Sequence, residues 1–190
     1  LLKNKSFVRS LLFGILAIVG AAIGTFLAQQ YANWVEGSYV ADLLLDYLPV
    51  FPWPEGLSFL LVWGVILFVI SLLMIVFRRP ELLPAAFKTV ALMYFVRAAF
   101  MTLTHLKVNP EKIVVSPPGS LTASLADIIY SGNDLFFSGH TALPFIIALI
   151  FWRIKPVRYY CLIAAVVFGA AVLMARSHYS IDVFAAPPIA

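Results

Sequence analysis

The chain has 190 residues, 63% hydrophobic and only 12% charged, with a net charge of +4. A soluble domain carries roughly 25% charged and 45–50% apolar residues, so an ordinary water-bathed core is excluded and the bilayer is the expected solvent. Nothing in the charge pattern points to nucleic acid, and the lone Cys161, inside an apolar run, forms no intrachain disulfide.

The chain opens Leu1-Leu2-Lys3 and closes inside an apolar segment, as expected of part of a longer protein. Its first apolar run, Ser10–Val35, is uncharged. It exceeds a signal-peptide core of roughly 7–15 residues and reads as a retained span. A bilayer core of ~30 Å needs about 20 apolar residues per helix. On that measure Gly56–Phe77 is a second span, and a third runs through about Leu82–Leu106 with Lys88 and Arg97 inside it. The fourth is Leu135–Trp152, the fifth Tyr159–Ala175, and the sixth runs from near His178 to Ala190. The sixth provides only about 18 Å of helix, so it is expected to be truncated. Pro187-Pro188 should kink or interrupt it. The expected fold class is all-α: one polytopic transmembrane domain over 1–190 with six helices and a catalytic core at about 90–190.

Loop charges predict the orientation. Lys3, Lys5 and Arg9 precede the first span, Arg78 and Arg79 separate the second and third, and Arg153, Lys155 and Arg158 separate the fourth and fifth. The loop between the first two spans holds Glu36, Asp42, Asp46 and Glu55 with no Lys or Arg. The positive-inside rule then places the N-terminus in the cytoplasm and the loops at about 107–134 and 176–178 in the periplasm, lumen or exterior. Within the outer segment 29–55, Val40, Leu43, Leu44, Tyr47 and Leu48 fall at helical spacing, with Asp42 and Asp46 on another face. An amphipathic interfacial helix, flanked by Tyr31, Trp34, Tyr39 and Trp53, is expected there. The Pro- and Gly-bearing stretch Val115–Ser120 reads as a turn-rich, mobile loop.

Ionisable groups in a membrane segment are rare and usually functional. By the predicted topology, His140, Arg176, His178 and Asp182 reach one membrane depth from separate stretches. His178 and Asp182 are four residues apart, a spacing that puts them on one helix face. The carboxylate then orients the imidazole and leaves Nε2 as a nucleophile. Ser138 is placed to cap the fourth span, whose N-terminus attracts phosphate, and Gly139 admits a phosphate close to the backbone. Pro144 withholds a donor from the carbonyl of His140. Arg176 and Arg97 offer guanidinium forks for phosphate, whereas His105 and Lys107 read as interfacial and solvated. Two histidines beside an anion cradle suit phosphoryl transfer: His178 attacks, and protonated His140 donates to the departing oxygen. That scheme needs no metal or other cofactor. Two alternatives are a metal-dependent membrane hydrolase built on the same triad, and a transporter or scaffold with a structural polar cluster.

The string Gly132-Asn133-Asp134-Leu135-Phe136-Phe137-Ser138-Gly139-His140-Thr141, with His178-Tyr179-Ser180-Ile181-Asp182-Val183, resembles the sphingomyelin synthase branch of the type 2 phosphatidic acid phosphatase superfamily. The resemblance covers about residues 90–185. It implies that His140, His178 and Asp182 form a catalytic triad on six helices, facing the outer leaflet or lumen. It also implies a phospholipid or lipid-phosphate substrate, with a lipid hydroxyl such as ceramide or diacylglycerol as a possible acceptor. Asp134, Phe137, Thr141 and Tyr179 are candidate pocket residues. Arg97 with Thr102 and Thr104 resembles the synthases' third-span motif. The broader superfamily's Lys-x6-Arg-Pro pattern is not met, because Ala98 follows Arg97 and Lys88 lies nine residues before it. Arg176 also stands two residues before His178 rather than six.

Overall fold

The computed structural model describes residues 3–35, 37–49, 52–113, 121 and 135–190. The expected loop at Val115–Ser120 and the candidate Asp134 lie outside the described residues. The fold is helical; among the described residues the extended pairing is one isolated bridge between Ser38 and Leu106. Among the described residues four helices are long and apolar enough to cross a membrane: Lys5–Trp34, Gly56–Phe77, Pro80–Thr104 and Lys155–Met174. Two shorter apolar helices, Gly139–Ile150 and Ser180–Ile189, occupy the places expected for the fourth and sixth spans.

Helix α1 (Lys5–Trp34) starts earlier than its charge-free stretch, because the side chain of Asn4 accepts from the amides of Ser6 and Phe7. Where an interfacial helix is expected, α2 is a five-residue turn, Leu43–Tyr47. Asp42 is its N-cap rather than part of a polar face, and Leu45 is its buried anchor while Tyr47 is exposed. The second span begins with Pro at the first turn of α3 (Pro54–Phe59), passes through a π-helical stretch at Leu60–Gly64, and continues as α4 (Val65–Phe77).

Helix α5 (Leu83–Thr104) ends at His105, which adopts a left-handed conformation at φ 39°. His105 is less solvated than expected. Its ring lies 5.7 Å from that of Tyr31, and its Nε2 is buried. Helix α6 (Gly139–Ile150) is followed by α7 (Lys155–Met174) and α8 (Ser180–Ile189). α8 continues through Pro187 and Pro188 to Ile189. Both prolines sit in the last turns and withhold the i→i−4 donors from the carbonyls of Val183 and Phe184, yet the helical path is kept.

α1 and α5 pack side by side and run in the same direction. A Cβ on Gly14 would meet Phe87, Gly20 and Gly24 face Phe95, and Ala28 clusters with Ala98 and Met101. Lys88 Nζ donates to Ser10 Oγ across this contact, 2.9 Å away. The main core joins α4, α5, α6 and α7 through Phe68, Met93, Ile146, Cys161 and Phe168. A second cluster, with Leu45, Leu61, Val172, Tyr179 and Val183, packs α2 and the second span against α7 and α8.

Candidate active site

The site is built where α6 and α8 begin. The amide of Ser138 donates to the carbonyl of Asp182 at 2.9 Å, tying the first turn of α8 to the residue that precedes α6. From α5, Arg97 Nε donates to the carbonyl of Phe137 at 2.7 Å. Phe137 itself is fully buried and packs edge-on against Phe100. Three stretches distant in sequence are thus locked at one point.

The side chains follow from that framework. The rings of His140 and His178 lie 6.2 Å apart, centroid to centroid. His178 Nδ1 is 3.2 Å from Asp182 Oδ2, the partner that the four-residue spacing predicted. The geometry differs from expectation, because His178 precedes α8 instead of lying on it. Tyr179 is the N-cap residue, and Asp182 Oδ2 also accepts from its amide at 3.0 Å. Asp182 therefore closes the helix start and orients the imidazole with one oxygen. The residue is 0% exposed, and its Oδ1 has no hydrogen-bond partner among the described residues.

Ser138 holds the N-cap position of α6, but its side chain makes no capping bond. Its hydroxyl instead receives a 3.4 Å contact from Thr141 Oγ1. The first intrahelical bond of α6 runs from Ala142 to the carbonyl of Ser138, so the amides before it point out of the helix end. The Arg97 guanidinium lies against this end. A Cβ on Gly139 would stand 3.6 Å from Arg97 Nε and 3.7 Å from Cζ. Arg97 is 3% exposed despite its charge.

Arg176 has partners of its own beside the site. It closes α7 in a left-handed conformation at φ 52°, with Arg176 N–H on Leu173 O and Ser177 N–H on Val172 O. This is a Schellman-type end, usually made by glycine. Its guanidinium is paired with Glu111 and donates to the carbonyl of Leu48, so it anchors the turn before His178. Tyr179 likewise works as a strut: its hydroxyl donates to the Lys107 carbonyl at 2.7 Å. Thr141 faces the α7 backbone at Gly169, where a Cβ would stand 3.1 Å from both Thr141 Oγ1 and Val183 Cγ1.

Two contributors are absent from the sequence reading. Gly169 is one, since only a residue without a side chain lets α7 approach α6 and α8 this closely. Asp42 is the other. Besides capping α2 through Leu44 and Leu45, it accepts from the Ser180 amide and, at 2.9 Å, from the Ser180 hydroxyl. Burial alone pushes the Asp42 carboxyl up, but the bonds from Ser180, Leu45 and Leu44 outweigh it and leave the carboxyl below its ordinary value. An Asp ahead of an apolar run is a readable cap signal, whereas its second partner 138 residues away is not.

Arg97, Gly139 and His140 border a cavity of about 920 Å³. Along α5 its lining extends from Arg97 back to Leu83, about 21 Å at 1.5 Å per residue. Below the arginine its walls are mostly aliphatic and aromatic, from α1, α4, α5 and α6.

Residues 126–190 match the family model described as PAP2 superfamily C-terminal, roughly the last third of the chain. The matched part holds His140, His178 and Asp182. The match supports the PAP2 superfamily for this segment, and with it a phosphatase-type enzyme. With the four long apolar helices, it fits an integral membrane protein. No curated protein and no solved structure matches the chain.

Proposed function

We propose that the chain is a lipid phosphotransferase or phosphatase that works through a phosphohistidine on His178. The observation that carries the reading is the placement of two imidazoles, one backed by a buried carboxylate, beside an arginine and a helix N-terminus at one end of a long apolar cavity. In the first step His178 Nε2 attacks phosphorus as the bond from phosphorus to the lipid oxygen breaks. Protonated His140 delivers its proton to that oxygen, releasing a lipid alcohol. Asp182 stabilises the positive charge that forms on the His178 ring. Arg97 and the exposed amides of α6 hold the non-bridging oxygens. In the second step an acceptor hydroxyl gives its proton to His140 and attacks phosphorus, and the P–N bond returns its electrons to Nε2.

Water as acceptor makes a phosphatase, and a ceramide or diacylglycerol hydroxyl makes a transferase. The two quoted motif strings favour a sphingomyelin synthase-like branch in this reading. Six spans, a cytoplasmic N-terminus and a site on the non-cytoplasmic face belong to the same reading, supported by loop charges and the parallel run of α1 and α5. Arg176 serves here as an anchor of the His178 turn rather than as a phosphate ligand.

The test is a single-turnover reaction of purified protein with phosphatidic acid or phosphatidylcholine carrying labelled phosphorus. Wild type should acquire label stable to alkali and released by mild acid, located on His178. His178→Ala should take no label, and His140→Ala should lose about 10²–10⁴-fold in turnover. Full activity in His178→Ala, or activity abolished by chelator and restored by zinc, overturns the reading.

A further inference from the structure

The lining of the cavity sorts by polarity along its length. On α5 it runs from Arg97 and Tyr94 to Val90, Phe87 and Leu83, polar at one end and apolar beyond. On α1 it runs from Gln29 and Thr25 to Ala22, Ile18 and Ile15, sorted in the same way. Both sets recur at three- or four-residue steps, so each is one face of its helix. The two polar ends coincide because the helices run parallel: Gly14 meets Phe87, Gly24 faces Phe95, and Ala28 packs with Ala98 and Met101. The α4 wall, from Val65 to Val76, is apolar throughout. A short polar end joined to a long apolar remainder is the outline of an amphiphile, with its charged group at Arg97 and its hydrocarbon toward Leu83.

The length of the apolar part sets a scale. The lining ends at Val76 and Leu83, on either side of the turn Pro80–Leu82 that joins the second span to α5. From Arg97 to Leu83 is about 21 Å at 1.5 Å per residue. An all-staggered hydrocarbon with C–C bonds of about 1.5 Å advances about 1.3 Å per carbon, so about sixteen carbons fill that length. Val19 and Phe26 of α1 and Val69 and Leu73 of α4 line the cavity and are exposed, which gives hydrocarbon a way in from the side.

Building on the proposed function, we infer that the cavity is a slot for an extended hydrocarbon chain of the lipid whose phosphate sits at Arg97, filled by about sixteen chain atoms and ending at Leu83. The substrate class is then a lipid phosphate with a chain long enough to reach that end. A shorter chain leaves the far walls without contacts, and a longer one turns out through the exposed side.

The experiment uses hexadecylphosphonate with a photoreactive diazirine on its fourth or its fourteenth carbon. Its carbon–phosphorus bond is not cleaved, so the chain's position is read independently of turnover. Purified protein in detergent is illuminated with each probe, and the labelled residues are located by peptide mass spectrometry. The fourth-carbon probe should label around Tyr94 and the fourteenth-carbon probe around Leu83 and Val76, and excess hexadecylphosphonate without diazirine should suppress both. Leu92 and Leu103, exposed on α5 and outside the lining, register chains in the surrounding micelle. Val90→Trp, halfway along the slot, should lose the deep label and keep the shallow one; Val90→Phe replaces it if it fails to fold. The same pattern from both probes, label confined to positions such as Leu92 and Leu103, or a deep label that persists in the Val90 variant overturns the slot. Turnover of phosphatidic acid is followed in the same preparations. Depth-ordered label without any turnover would sink the phosphohistidine reading alone, and turnover without depth order would sink the slot alone.

Discussion

The starts of α6 and α8 are stitched together by polar contacts, whereas the faces of α1 and α4 that border the cavity are mostly aliphatic. At the first region, Ser138 is tied to Asp182, Phe137 to Arg97, His178 to Asp182 and Ser180 to Asp42. At the second, Ile15, Val19, Phe26, Val69 and Leu73 are half exposed and packed on one side only. In the proposed function the contrast separates two jobs. Chemistry at phosphorus needs groups fixed to within fractions of an ångström, and a buried polar network supplies that. A lipid chain needs apolar surface that adapts to it, and loosely packed helix faces supply that.

The largest expected effect comes from loosening the chemical end without unfolding it. Asp182→Asn keeps an oxygen for the Tyr179 amide but removes the charge that fixes and stabilises the His178 imidazole. Turnover should fall about 10²–10⁴-fold, the range seen where a carboxylate orients a catalytic histidine elsewhere. The unfolding midpoint in detergent should move little. A collapse of stability with activity per folded molecule intact would show that the carboxylate is a structural cap only.

A smaller effect tests the packing beneath that end. Val at position 169 in place of Gly169 adds a Cβ 3.1 Å from Thr141 Oγ1 and Val183 Cγ1, plus two methyls. Neither neighbour can retreat easily, because Thr141 lies on the first turn of α6 and Val183 on that of α8. The substitution should cost about 1–3 kcal/mol in denaturant or thermal unfolding. Activity should fall with it, since the same helices carry His140 and Asp182. A Gly169→Val protein of wild-type stability would mean that α7 does not clamp the two helix starts.

These regions were unequally legible in the sequence. Helix positions followed from hydrophobic length alone, and the His178–Asp182 pairing followed from its spacing. The pairing survives although His178 lies outside the helix, because the N-cap turn brings residues i and i+4 together almost as a helix does. The length of α6 was over-read: Leu135–Phe137 are apolar enough for a span but serve as a buried strap held by Arg97. The partners of Arg176 are not legible for a related reason. Composition shows a charge near a site but not which way its side chain leaves a left-handed turn, here to Glu111 and the Leu48 carbonyl. Gly169 and the second bond of Asp42 depend on tertiary approach and leave no local pattern.

The smallest expected effect sharpens the comparison at its edge, where the segment that carries α2 meets the start of α8 through Asp42. Its carboxyl is held below the ordinary value, so the folded state binds a proton there less readily than the unfolded chain. The stabilising contribution is therefore fully present above the unfolded value near pH 4 and is lost as pH falls through the lower folded value. The wild-type unfolding midpoint, followed from pH 7 downward, should hold until about pH 4 and then drop. Asp42→Asn should begin lower at pH 7 and show a shallower acid limb. Its turnover should change less than that of Asp182→Asn, because Asp42 grips Ser180 and touches neither histidine. Parallel acid limbs in the two proteins would mean that protonation elsewhere governs the loss, and that the α2 segment rests on α8 without bracing it.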